Sequence, residues 1–132
     1  KGGGQCLMKT PKPLVSVVVL AYNHVNTIDQ CLEQIMMQDF DGGMEVVLGE
    51  DESSDGTREK CLEWSKRFPN EIVLLLNSRE ENISINGKPN GRANGLKCLS
   101  HCRGKYIAFC EGDDYWLDSA KLKKQVDLLE VI

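Results

Sequence analysis

The stretch that most constrains this chain is Leu14–Leu20, Leu-Val-Ser-Val-Val-Val-Leu, where Ser16 alone interrupts an apolar run. Valine is crowded at the β-carbon in a helix and fits a pleated strand. A strand with one wet face alternates apolar and polar residues; this one does not, which predicts cover on both faces. Strands of that kind belong to parallel sheets, and parallel neighbours are joined by crossover helices. Lys9 and Lys12 before the run imitate a secretory leader, but no small-x-small cleavage site follows and the run is far too short to cross a bilayer.

The remaining pattern supplies the helices that such a sheet needs. Thr27 and Gln30 make a capping-box pair, and Ile28, Cys31, Leu32, Ile35 and Met36 recur at helical spacing, which predicts a helix over about 27–37. Gly42-Gly43 breaks the chain before a second strand, Met44–Leu48. Asp55 is placed to cap a second helix with Cys61, Trp64 and Phe68 on one face, stopped by Pro69-Asn70. Ile72–Leu76 reads as a third strand. From Asn77 to about Asn90 no period is visible, so a long ligand-facing or mobile loop is expected. Leu96, Leu99 and Cys102 mark a third helix and Lys105–Cys110 a fourth strand. Asp118 then opens a last helix with Leu122, Val126 and Leu129 facing inward. The fold class is α/β: a Rossmann-like unit whose parallel four-stranded sheet carries helices on both faces. Residues 1–12 are set aside as a disordered tail or expression remnant, leaving one domain over 13–132.

Charge narrows the function. With 16 basic and 20 acidic residues the net charge is −4, and no clustered basic face is visible, so nucleic acid is not expected as a partner. Cys98 and Cys102, flanking His101, would supply half of a zinc site, but no CxxC provides a second pair; the cysteines are read as reduced core residues. The Walker pattern and GxGxxG are both absent, which removes the main support for P-loop and dinucleotide readings. A receiver-type phosphoacceptor would gather acids after the first strand, where this chain has Ala-Tyr-Asn.

Ligands of doubly wound sheets bind outside the C-terminal ends of the strands. Three of those ends carry polar or acidic runs: Ala21-Tyr22-Asn23-His24, Gly49-Glu50-Asp51-Glu52-Ser53-Ser54-Asp55 and Glu111-Gly112-Asp113-Asp114. Neighbouring carboxylates raise one another's pKa unless solvated or countered, and a hard divalent cation, Mg2+ or Mn2+, resolves that cost with oxygen ligands. A solvated turn is the alternative for Asp113 and Asp114. Tyr22 either stacks a base or packs under the adjacent helix, and Glu50 and Asp51 either accept from a base or ribose or form a solvated turn. His24 reads as an ordinary loop histidine. Arg92, Lys97 and Arg103 are the basic candidates near the loop.

Taken together, VSVVVLAYNH, GEDESSDGT, GKYIAFCEGDDYW and LDSAKLKKQVDLLE stand in an order and spacing that resembles the N-terminal half of the family 2 inverting glycosyltransferases of GT-A fold, over about residues 13–130. The resemblance implies a nucleotide-sugar-binding domain, with the donor near Ala21, Tyr22 and Asn23 and Glu50 on the base. Asp51 falls on the second acidic position of that motif, and Arg92 and Asn94 fall near a donor-contacting run. Asp113 and Asp114 fall on the acid pair that serves ribose and the diphosphate-bound metal, and Glu111 on the first acid of Asp-x-Asp. Glu50 and Glu111 are each one methylene longer than the family's aspartates, and Gly91-Arg92-Ala93-Asn94 replaces the usual Ala-Arg-Asn.

The implied reaction moves a sugar from a nucleoside diphosphate sugar to a hydroxyl of a carbohydrate or glycolipid acceptor, metal-assisted and with inversion. The family's general base belongs to the acceptor half, so the chain to Ile132 is expected to bind donor without useful transfer. By the same analogy the setting is bacterial polysaccharide or glycolipid assembly, cytoplasmic, with peripheral association of the full-length enzyme at the inner face of the membrane. A non-catalytic nucleotide-sugar-binding module is the competing class.

Overall fold

The valine run forms the strand it predicts. A computed structural model of the chain describes residues 12–81, 84–85, 88–89, 92–113 and 119–130. In chain order these carry β1 (Val15–Ala21), α1 (Ile28–Met36), β2 (Met44–Glu50), α2 (Thr57–Arg67) and β3 (Ile72–Leu76). A 3-10 turn (Arg79–Glu81) and two short strands, β4 (Ser84–Ile85) and β5 (Lys88–Pro89), lead to α3 (Arg92–Ser100), β6 (Tyr106–Glu111) and α4 (Lys121–Glu130). The parallel sheet has the order β3-β2-β1-β6. β1 is therefore flanked on both edges as well as covered on both faces, which is why polar alternation is missing from it.

The two faces are unequal. Val15, Val17, Val19 and Ala21 join Val46, Leu48 and Cys110 against α1, α2 and α4, where Ile28, Leu32, Ile35, Trp64, Leu122 and Val126 complete the larger core. On the opposite face Val18 and Val47 pack with Cys98 of α3. Each fully buried valine or leucine contributes roughly 1.5–3 kcal/mol relative to exposure, so the larger face carries most of the apolar stabilisation. Ile107 and Phe109, on the smaller face of β6, remain exposed.

At the N-terminal edge of the sheet sits a buried charge. Glu45 of β2 accepts hydrogen bonds from the Ser16 hydroxyl at 2.6 Å, the Arg103 backbone N–H at 2.7 Å and Arg103 Nε at 3.0 Å. Gly104 N–H donates to Ser16 Oγ at 2.8 Å, and a β-carbon on Gly104 would lie 2.5 Å from the Ser16 nitrogen. Only glycine lets the chain enter β6 this close to β1. Burial raises the pKa of Glu45, but the Ser16 and Arg103 donors outweigh it and hold the carboxyl below its ordinary value of 4.5.

Several expectations are revised. Thr27 makes no side-chain cap on α1; its hydroxyl donates instead to the Gly112 carbonyl at 2.9 Å, tying the start of α1 to the end of β6. Leu129 is exposed rather than inward, while Leu122 and Val126 are buried. The loop after β3 contains the 3-10 turn and the antiparallel β4–β5 pair. The expected cap Asp118 lies outside the described residues. Cys31, Cys61, Cys98, Cys102 and Cys110 are free thiols, and burial pushes Cys61 and Cys98 up to about 12, far from a reactive thiolate.

Replacing Glu45 by Gln should cost about 1–3 kcal/mol, because buried donors lose a charged acceptor. A carboxyl whose pKa is depressed by folding contributes stability above its unfolded value and loses it as pH falls through the folded one. In urea titrations the gap between wild type and Glu45→Gln should therefore be full above pH 4.5 and shrink below it.

Candidate functional site

The sheet order places a topological switch point between β1 and β6: from β1 the chain builds outward through β2 and β3, then returns to the other side with β6. The C-terminal ends of those two strands are where such sheets hold ligands. Ala21 closes β1, buried and paired in register with Glu50. Its carbonyl accepts the Asp51 N–H at 3.0 Å.

A set of polar contacts then joins the loop after β1 to the loop after β2. Asn23 adopts φ +55°, a left-handed conformation that asparagine tolerates better than most residues. Its N–H donates to Ser53 Oγ at 2.9 Å, and its Oδ1 accepts from Ser54 N–H at 3.0 Å. His24 N–H donates to Thr57 Oγ1 at 2.9 Å and Val25 N–H to Asp55 Oδ2 at 3.2 Å. Asp55 also accepts from the Thr57 N–H and hydroxyl. Desolvation pushes its pKa up, yet these donors hold it below the ordinary aspartate value. Asn23 is thus a loop-shaping residue whose amide oxygen is engaged within the protein.

The acids after β2 divide into two environments. Glu50 is fully buried: its carboxylate accepts from the Ser53 N–H at 3.1 Å, from the Ser53 hydroxyl and from Arg58 Nε at 2.6 Å. Arg58 also donates to the Asn77 carbonyl at 2.8 Å. The methylene that distinguishes Glu50 from aspartate lets it reach the α2 guanidinium, so the acid expected on the base has these internal partners in the structure. Asp51 is the acid that the structure brings to Tyr22. Arg79 Nη1 lies 2.7 Å from Asp51 Oδ2, and the same guanidinium sits 3.8 Å over the Tyr22 ring, a cation–π distance. Tyr22 itself is 39% exposed.

Asn94 is buried beneath the loop, donating to the Gly49 carbonyl at 3.1 Å and accepting from Asn77 Nδ2 at 2.5 Å. It fastens α3 to β2. Arg92 opens α3, but its side chain, like Asp114 and Trp116, lies outside what the structure describes. Glu111 and Asp113 are both exposed at the end of β6. His24, Glu111 and Asp113 each place a ligand atom within 4.8 Å of the others, so the β1 loop and the β6 turn offer one nitrogen and two carboxylates to a common point. Oxygen donors of this kind suit a hard divalent cation.

Sequence reasoning missed two of these residues. Arg79 had no signal of its own, since its stacking partner belongs to a different strand end. His24 stood beside Tyr22 and Asn23 but could be joined to Glu111 only by knowing that β1 and β6 are neighbours.

Residues 16–131 match the model of Glycosyl transferase family 2, and the chain belongs to that family. Among curated relatives, an uncharacterized protein of Mycobacterium tuberculosis is 36% identical over 116 residues, covering 88% of this chain and 31% of the relative. An Escherichia coli UDP-Glc:alpha-D-GlcNAc-diphosphoundecaprenol beta-1,3-glucosyltransferase, WfgD, is 33% identical, covering 88% of this chain and 41% of its own length. Among solved structures, the mannosyltransferase PcManGT from Pyrobaculum calidifontis in complex with GDP-Man and Mn2+ aligns with a TM-score of 0.72 at 25% identity, over 91% of this chain and 33% of that one. The chain thus spans about a third to two fifths of the length of the relatives it matches.

Arg58→Met should leave the Glu50 carboxylate buried without its cation. Breaking such a pair costs about 3 kcal/mol, measurable as a lowered urea midpoint. Because Glu50 and Arg58 share one interaction, the double variant Glu50→Leu/Arg58→Met should recover a large part of the loss.

Proposed function

We propose that this domain binds the nucleoside diphosphate of a sugar donor across the β1–β6 switch point, and that the whole protein transfers the sugar to a hydroxyl of a carbohydrate or glycolipid acceptor with inversion. One observation carries the reading: an exposed aromatic ring beside a buried carboxylate, Tyr22 and Asp51, shares the sheet edge with Glu111 and Asp113. The ring offers a stacking surface for the base, and Asp51 accepts a base N–H. Glu111 and Asp113, joined by Asp114, hold Mg2+ or Mn2+ against the diphosphate. Ala21 and Asn23 shape the base loop, Asn94 holds it from below, and Arg92 stands at the start of α3 for donor contact. Support comes from a neighbour of the same fold in complex with GDP-Man and Mn2+ and from a relative named for glucose transfer from UDP-Glc to a lipid-linked acceptor.

Chemically, the bound cation offsets charge that develops on the departing diphosphate. The chain's own residues bind and orient. Glu111 and Asp113, engaged with cation and nucleotide, are not available to take the acceptor proton, so the general base belongs elsewhere in the whole protein and this domain by itself binds donor without useful transfer. The work is assigned to the cytoplasmic face of the membrane, by peripheral association, a reading supported by the lipid-linked acceptor in the name of the relative. Among the described residues no helix is long and apolar enough to cross a bilayer.

Calorimetry with UDP, GDP and dTDP sugars, with and without Mn2+, tests this. One donor class should bind, more tightly with metal. Tyr22→Ala should weaken it by about 5- to 150-fold, the range of a lost base–aromatic stack. Asp113→Asn should abolish the metal effect. Wild-type affinity in both variants would overturn the assignment.

A further inference from the structure

We propose that His24 is a nitrogen ligand of the divalent cation at Glu111 and Asp113, and that its imidazole biases the site toward manganese over magnesium. The inference rests on the metal site proposed above and adds a residue from the end of the neighbouring strand, β1. Three observations carry it. First, the His24, Glu111 and Asp113 ligand atoms lie within 4.8 Å of one another. Ligands bound at about 2.0–2.2 Å stand up to about 4.4 Å apart across an ion, so a small inward movement closes the set.

Second, the ring is seated in the turn rather than merely near it. A β-carbon on Gly112 would lie 2.5 Å from His24 Nδ1 and 3.2 Å from its Cβ. The absent side chain at 112 is the space that the imidazole uses, between the two carboxylates in sequence. Third, the backbone holding the ring is fixed. The His24 carbonyl accepts the Thr27 and Ile28 N–H groups at 3.0 and 2.8 Å, and its N–H donates to Thr57. The Thr27 hydroxyl binds the Gly112 carbonyl, joining the histidine loop directly to the acidic turn. Nδ1, the nitrogen turned toward Gly112, has a long 3.4 Å contact from the Tyr22 N–H, which coordination to an ion readily replaces.

The chemistry distinguishes the cations. Magnesium retains water and prefers oxygen, whereas imidazole suits first-row transition ions and binds them in the Irving–Williams order. A His-carboxylate-carboxylate set therefore discriminates where carboxylates alone do so weakly.

The test uses Mn2+ alone as probe, followed by electron paramagnetic resonance, with folding checked by circular dichroism. Wild type should bind Mn2+ and show the 14N modulation of a coordinated imidazole. His24→Ala and His24→Gln should lose that modulation and bind Mn2+ about tenfold more weakly, while Mg2+ competition changes less than about twofold. Asp113→Asn should lose Mn2+ altogether. If Asp113→Asn loses the ion but the histidine variants keep wild-type affinity and the wild type shows no 14N modulation, this inference fails and the proposed metal site stands. If Asp113→Asn binds Mn2+ as wild type does, or wild type binds none, both fail.

Discussion

A carboxylate withdrawn from water has to be compensated where it sits, and Glu50 is the clearest case in this chain. Its burial is complete, so the strand end can exist in this form only if donors converge on it. Ser53 answers from the following turn and Arg58 from α2. Bringing them in shapes residues 51–57, and that shaped loop presents Ser53, Ser54, Asp55 and Thr57 to the backbone and side chain of Asn23–Val25. The Tyr22 ring is left outside the network, with Asp51 and Arg79 beside it. The buried Glu50 interaction thus shapes the loop beside which the partly exposed Tyr22 ring stands.

The division of labour between adjacent acids is a consequence of the pleat. Successive residues of β2 point to opposite faces, and Glu50 takes the face of the larger core with α2 beneath it. Asp51, one residue past the strand, is buried as well but pairs with Arg79. A motif of paired acids therefore carries two buried carboxylates with different cations, Arg58 for Glu50 and Arg79 for Asp51, and no inspection of composition separates them. The same reasoning explains Asn94, which lies at the right sequence distance for donor contact yet spends its amide on the Gly49 carbonyl and Asn77.

What the sequence disclosed, it disclosed through local physics. The Val15–Val19 run, the 28-31-32-35 stripe of α1 and the Gly42-Gly43 break each act within a few residues, and the strands and helices fall within a residue or two of expectation. The acidic runs could be assigned to one edge because parallel topology sends every strand the same way. Failures came where a side chain had a distant alternative. Thr27 has the composition of a capping residue, but the Gly112 carbonyl offered its hydroxyl a partner 85 positions away. Leu129 continues the stripe of Leu122 and Val126, yet the core ends before reaching it. Arg79 and His24 gain their meaning from residues on other strands, and spacing along the chain cannot show that.

Electrostatics give the site its sense of incompleteness. Across the β1 loop the charge changes sign: the Arg79 guanidinium covers one face of Tyr22, while Glu111 and Asp113 stand exposed beyond His24. A dianionic diphosphate brought to the acidic side would meet repulsion, and the Arg79 cation is already engaged by Asp51 at 2.7 Å. Without a cation the two carboxylates and the phosphates would repel one another. On the proposed function, Glu111 and Asp113 would hold a divalent ion, whose charge would offset this repulsion. On this reading metal and donor bind with positive coupling, and by linkage each raises the affinity of the other by the same factor. The mismatch between the acidic edge and the bare ligand would then make donor binding conditional on the ion.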